Sequence, residues 1–244
     1  MRNFDVATLV VVDAYVMALL GALLLLSAFQ GQREKALLYM AFGALASALG
    51  LIVSLLRSQP ELHILAIAAS NAILILGHAM VWAALRAFSR HSQRTLALLA
   101  GSLVWLALSL WPFFQGSASV RIDAYSLLCS AYLTLALREA WRLRRQTMFG
   151  VWPAMIVLGF QILFNGYRAV TEQVPPIQGP DQSGFALTMF ESILFAISLS
   201  FVILMMVRER AERQYRHAAM HDDLTGLHNR RAFCLQASGV LANA

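Results

Sequence analysis

Seven apolar stretches, each near the length of a bilayer crossing, constrain this chain more than any other feature. They run over roughly 7–29, 37–56, 63–85, 95–114, 119–137, 151–170 and 186–207. About 20 apolar residues cross a hydrocarbon core as a helix, and in lipid only a helix satisfies its backbone groups within one segment. A soluble fold is a poor alternative, because only 13% of the residues are charged and 59% are hydrophobic; soluble domains carry about a quarter charged residues. The first stretch lacks a good small-x-small cleavage site and reads as a retained span rather than a signal peptide. The expected fold is an all-α polytopic membrane protein with seven transmembrane helices.

The connections alternate in charge. Arg33 and Lys35, then Arg86, Arg90 and Arg94, then Arg138, Arg142, Arg144 and Arg145, fall in alternate connections. The tail adds Arg208, Arg210, Arg213, Arg216, Arg230 and Arg231, leaving only Arg2, Arg57, Arg121 and Arg168 of the 19 basic residues elsewhere. The loop from Thr171 to Gly184 holds no Lys or Arg. The positive-inside rule then sets the N-terminus outside and the C-terminus in the cytoplasm. Trp111, Trp141 and Trp152 lie near span ends, where amphipathic rings gather.

Beyond Val207 the chain turns polar, and no Gly or Pro interrupts it before Asp223. The last span is expected to continue as one helix into a connector over 208–221. Val207, Ala211, Tyr215 and Ala218 form a sparse apolar stripe suited to pairing with a second copy. The alternative is a solvated helix whose arginines rest on lipid headgroups.

The segment Asp222-Asp223-Leu224-Thr225-Gly226-Leu227-His228-Asn229-Arg230-Arg231-Ala232-Phe233 contains the run Asp-x-Leu-Thr-Gly-Leu-x-Asn-Arg-Arg-x-Phe. This run resembles the opening of the diguanylate cyclase (GGDEF) domain, an α/β domain that joins two GTP molecules into cyclic di-GMP. The resemblance covers only the final residues, 222–244, and implies a seven-helix sensory or anchoring module over 1–207 followed by the first helix of that domain. It implies a turn made by Asp222, Asp223, Thr225 and Gly226, where glycine tolerates backbone angles that other residues resist. Leu224 is implied as an apolar wall of the guanine pocket. Asn229, Arg230 and Arg231 are implied to brace the turn and first helix, with a phosphate contact as the alternative.

The complete enzyme would use Mg²⁺ and GTP as a homodimer paired through the connector, in a bacterial inner membrane. No metal-binding Asp, Gly-Gly-Asp/Glu-Glu-Phe hairpin or inhibitory Arg-x-x-Asp follows Phe233 in the sequence. It is therefore expected to be inactive alone, as the front of a longer enzyme. Alternatives are a degenerate GGDEF regulator, a protein with a phosphodiesterase module downstream, or a non-catalytic membrane receptor signalling through a partner. A transporter is disfavoured by the lack of repeats and of paired broken spans.

Ionisable residues at membrane depth are costly and mark candidate sites. Asp13 lies in span 1, Arg121 and Asp123 open span 5, Arg168 ends span 6 and Glu191 begins span 7. Gln161, Asn165 and Arg168 share one helical face, as do Asn71 and His78. Arg168 and Glu191 are candidates for an ion pair. Two readings stand: an outward-facing pocket for a small polar or anionic extracytoplasmic ligand, or interhelical pairs that fix packing. No metal site is expected, because His63 and His78 are too far apart on one helix to share an ion. Cys129 and Cys234 read as packing residues, and Lys35, the sole lysine, sits in a loop where no retinal Schiff base forms. Lipid is the implied partner, and nucleic acid is not.

Overall fold

A computed structural model describes residues 6–30, 34–144, 150–171 and 183–220. The GGDEF-like segment, including every residue singled out between Asp222 and Arg231, lies outside the described residues, as does Cys234.

Among the described residues eight α-helices follow one another: α1 Val6–Gln30, α2 Lys35–Ser54, α3 His63–Phe88, α4 Thr95–Ser109, α5 Pro112–Gly116, α6 Ala118–Leu143, α7 Val151–Thr171 and α8 Ser183–Met220. A short 3₁₀ turn, Leu55–Ser58, continues α2. The described residues contain no strand. Among the described residues five segments are long and apolar enough to cross a membrane: α1, α2 with its 3₁₀ turn, α3, α6 and the Phe185–Tyr215 stretch of α8.

The other two expected spans differ in instructive ways. α4 stops at Ser109, so it is only about 22 Å long. Pro112 explains the stop, because proline disfavours helical angles in the residue before it. Trp111 is extended there (φ −87°, ψ 122°), and Pro112 then begins α5 at its first position. α7 has the length, but Gln161, Asn165 and Arg168 dilute its apolar character. α6 also runs past the expected end of span 5, carrying Arg138, Glu139 and Arg142 on regular helix.

The helices close into a ring. α1 packs on α2, α2 on α3, α3 on α6, α6 on α7, α7 on α8, and α8 returns to α1; α4 leans on α3 and α6 from outside. The tightest seam is α2 against α3, where small residues bring the backbones together. A Cβ on Gly43 would lie 2.9 Å from Met80 Cβ and 3.1 Å from the Gly77 carbonyl, neither of which can swing aside. On α4, Gly101 admits Tyr132, whose hydroxyl accepts from Gly101 N at 2.8 Å and faces the Ala97 and Leu98 carbonyls at 2.8 and 3.0 Å.

Large apolar side chains such as Tyr15, Phe42, Leu127, Ile156, Leu163 and Phe201 remain exposed around the ring. In water such a surface would aggregate; in a bilayer it meets lipid. Trp141, half exposed near the end of α6, carries the Arg144 guanidinium 3.6 Å above its ring.

Candidate functional site

Inside the ring, polar side chains from α1, α3, α6, α7 and α8 converge. Asp13, Gln161, Asn165 and Glu191 are all buried, at 1, 5, 2 and 7% exposure. Helical spacing on α7 stacks Gln161, Asn165 and Arg168 on one face. Gln161 Nε2 donates to Glu191 Oε2 at 3.0 Å, joining α7 to α8. The next residue of α8, Ser192, donates to Asp13 Oδ2, joining α8 to α1. On the other side, Arg57 from the 3₁₀ turn donates to Ser70 Oγ at 2.6 Å and to Asn71 Oδ1 at 2.9 Å.

His78 sits between these groups. Its Nδ1 lies 3.0 Å from the Leu74 carbonyl, so that nitrogen carries the proton. Its ring stacks on Phe195 at 6.3 Å and meets the edge of Tyr125 at 6.4 Å. Cys129, fully buried, is a neighbour of both His78 and Tyr125.

Three sequence expectations change here. Among the described residues no ion pair forms between Arg168 and Glu191. Glu191 is level with Gln161, and seven residues of helix raise Arg168 about 10 Å above that level. Arg168 instead places its guanidinium 5.9 Å from the Tyr125 ring centre. Arg121 does not enter the cluster, because it donates to the Phe114 and Gln115 carbonyls left open at the end of α5. Asp123, in the second turn of α6, makes none of the hydrogen bonds that tie the cluster together. Conversely, Arg57, Ser70, Tyr125 and Ser192 belong to the cluster although their sequence context did not mark them. Serine and tyrosine are ordinary in apolar helices, and Arg57 reads as a loop cation.

Several atoms in this cluster are buried with no hydrogen-bond partner: Asp13 Oδ1, Arg57 Nε, Gln161 Oε1, Asn165 Nδ2 and Arg168 Nε. Orphaned buried groups are uncommon, because each forfeits about 1–3 kcal/mol of desolvation. Among the described residues no three His, Cys, Asp or Glu side chains gather as a metal site.

A second charged assembly lies at the opposite end of the ring. α3 ends with a left-handed residue, Arg90 (φ 57°), and paired bonds from Arg90 N to Ala87 O and from His91 N to Arg86 O. This Schellman arrangement turns His91 toward α6. Glu139 there receives Arg86 Nη1 at 3.2 Å, Arg142 Nη1 at 3.5 Å and His91 Nδ1 at 3.2 Å. Arg86 is further held by the Ser92 carbonyl, at 3.2 Å from Nε.

The α8 extension is tied to this end. Glu209 Oε2 accepts from Gly150 N at 3.1 Å, at the start of α7, where the helix dipole favours a carboxylate. Arg210 Nη2 donates to Phe88 O at 2.6 Å while its guanidinium lies 3.5 Å from the Phe88 ring centre. Val207 packs against the ring's own core, so it is not free for pairing with a second copy. From Glu212 to Tyr215 the helix is exposed, so any pairing stripe begins beyond the clasp.

No protein-family model, curated protein or solved structure matches the chain. The functional reading therefore rests on its own residues.

Proposed function

We propose that the chain is the membrane module and connector of a bacterial diguanylate cyclase. In this reading α1, α2, α3, α4 with α5, α6, α7 and α8 are seven crossings of the inner membrane. The N-terminus is outside, and α8 carries the tail into the cytoplasm, where GTP is found. The carrying observation is the run from Asp222 to Phe233, whose likeness to the opening of a GGDEF domain is specific. The charge alternation supports the same orientation independently, since the arginine-rich connections fall on the side where α8 emerges.

Within that reading the internal polar cluster opens outward and biases the conformation of α8, whose clasp passes the change to a pair of cyclase domains. Two GTP-loaded domains must face each other for condensation, so a dimer set by the connector controls the encounter. Mg²⁺ would be held by acidic residues of the cyclase domain, downstream of Phe233.

The test is product formation by membranes carrying the whole open reading frame. With GTP and Mg²⁺ they are expected to accumulate cyclic di-GMP. Absence of product, with the protein intact in the membrane, would favour a receptor or degenerate regulator that acts through a partner.

A further inference from the structure

The acids and arginines inside the ring are not paired with one another. Asp13 and Glu191 sit toward α1 and α8, where their hydrogen bonds come from neutral Ser192 and Gln161. Arg168 and Arg57 sit toward α6 and the 3₁₀ turn, and Arg57 is met only by neutral Ser70 and Asn71. None of these acids reaches either arginine at ion-pair distance among the described residues. Asp13 and Glu191 are buried and the two arginines half-buried; a buried charge without a direct partner persists only at considerable cost, which a ligand bearing both signs removes.

Four of the five orphaned atoms match such a ligand in kind. Asp13 Oδ1 and Gln161 Oε1 are acceptors without donors, at the acidic end. Asn165 Nδ2 and Arg168 Nε are donors without acceptors, one and two turns farther along α7. A carboxylate alone would leave Asp13 and Glu191 unanswered, and an amine alone would leave Arg57 and Arg168. His78, stacked on Phe195 and edge-on to Tyr125, supplies an aromatic wall between the two ends.

We propose that this cluster is a binding site for a small amino-acid zwitterion. Its carboxylate is taken by Arg168 and Asn165, and its ammonium by Asp13 and the Gln161–Glu191 pair. The rings of His78 and Tyr125 flank its carbon skeleton. The proposal deepens the sensory role given above, but the binding step depends neither on orientation nor on cyclase activity. It is therefore measured on the purified chain in detergent, where failure of the cyclase reading leaves it untouched.

The probes are the twenty protein amino acids, β-alanine and γ-aminobutyrate, each beside its matching amine and carboxylate, with thermal unfolding as the readout. At least one zwitterion is expected to raise the midpoint saturably, by roughly 5 °C or more at about a hundredfold excess over its Kd. Asp13→Asn and Arg168→Gln each weaken that binding at least about tenfold, while Arg168→Lys restores part of it. Each variant is first required to elute as the parent does. The proposal is overturned if no zwitterion shifts the midpoint, if the amine or carboxylate alone does as well, or if binding survives both substitutions. Should Asn165→Leu raise the unliganded midpoint while no probe binds, the cluster is a packing device.

Discussion

Glutamine in place of Glu139 is expected to lower the unfolding midpoint in detergent by roughly 10 °C, the largest stability loss of any single side-chain change at this end of the ring. Glu139 is almost fully buried, with 4% of its side chain exposed, and its principal partner Arg86 is 10% exposed. Glutamine keeps the shape but removes the charge. Arg86 is then left as a buried cation without a counter-charge, held by the Ser92 carbonyl, the Trp82 ring 5.3 Å away and the neutral amide oxygen of the glutamine. Breaking a buried pair on one side costs about 3–5 kcal/mol, because the surviving charge stays desolvated. Arg142→Ala is the control. That side chain is 48% exposed and 3.5 Å from Glu139, so its loss costs about 1 kcal/mol or less. A double replacement, Arg86→Met with Glu139→Leu, should recover most of the loss. Equal midpoints for Glu139→Gln and Arg142→Ala would show that Glu139 does not carry the joint between α3 and α6.

The second large effect concerns the clasp. Glu209→Gln and Arg210→Ala should each speed amide hydrogen exchange over Val207–Tyr215 by roughly tenfold. A hydrogen bond to a charged group is worth about 1.5–3 kcal/mol, and 1.4 kcal/mol is a factor of ten in an equilibrium. Both substitutions free the same stretch of α8, one from the start of α7 and the other from the end of α3. Under the proposed cyclase function both should therefore move cyclic di-GMP output in the same direction. Unchanged exchange, or outputs moved in opposite directions, would mean that the extension is held elsewhere. Gly150 is part of the same fit, since a Cβ there would come within 2.7 Å of Met206 Cγ and 3.1 Å of Glu209 Oε2.

Five helices were legible because their apolar stretches match a bilayer crossing in length. α8 was legible through its connector because no Gly or Pro interrupts Val207–Met220. The break at Trp111 was not read, although Pro112 signals it, because the apolar residues continue across it and hydropathy ignores the backbone. Asp13, Gln161, Asn165, Arg168 and Glu191 stood out as polar letters in apolar helices, and the ring does gather them. Their partners were not legible, since Ser192 meets Asp13 across 179 residues of chain. Arg121 misled because an arginine at a helix start looks alike whether it faces a ligand or closes the carbonyls of the preceding turn. Glu139 and Glu209 were overlooked inside arginine-rich segments read only for net charge. For Glu139, a lone acid among Arg138, Arg142, Arg144 and Arg145 was the available signal; Glu209 shares its segment with Glu212.

An outside-to-inside relay requires the polar cluster and the cyclase-like tail to lie on opposite sides of one membrane. The direct measurement fuses a reporter active only outside and a reporter active only in the cytoplasm, separately, after Gln93, Gln178 and Tyr215. The account predicts cytoplasmic activity at Gln93 and Tyr215 and external activity at Gln178. External activity at Tyr215, or the same side for all three positions, would contradict the seven-crossing arrangement and the relay with it.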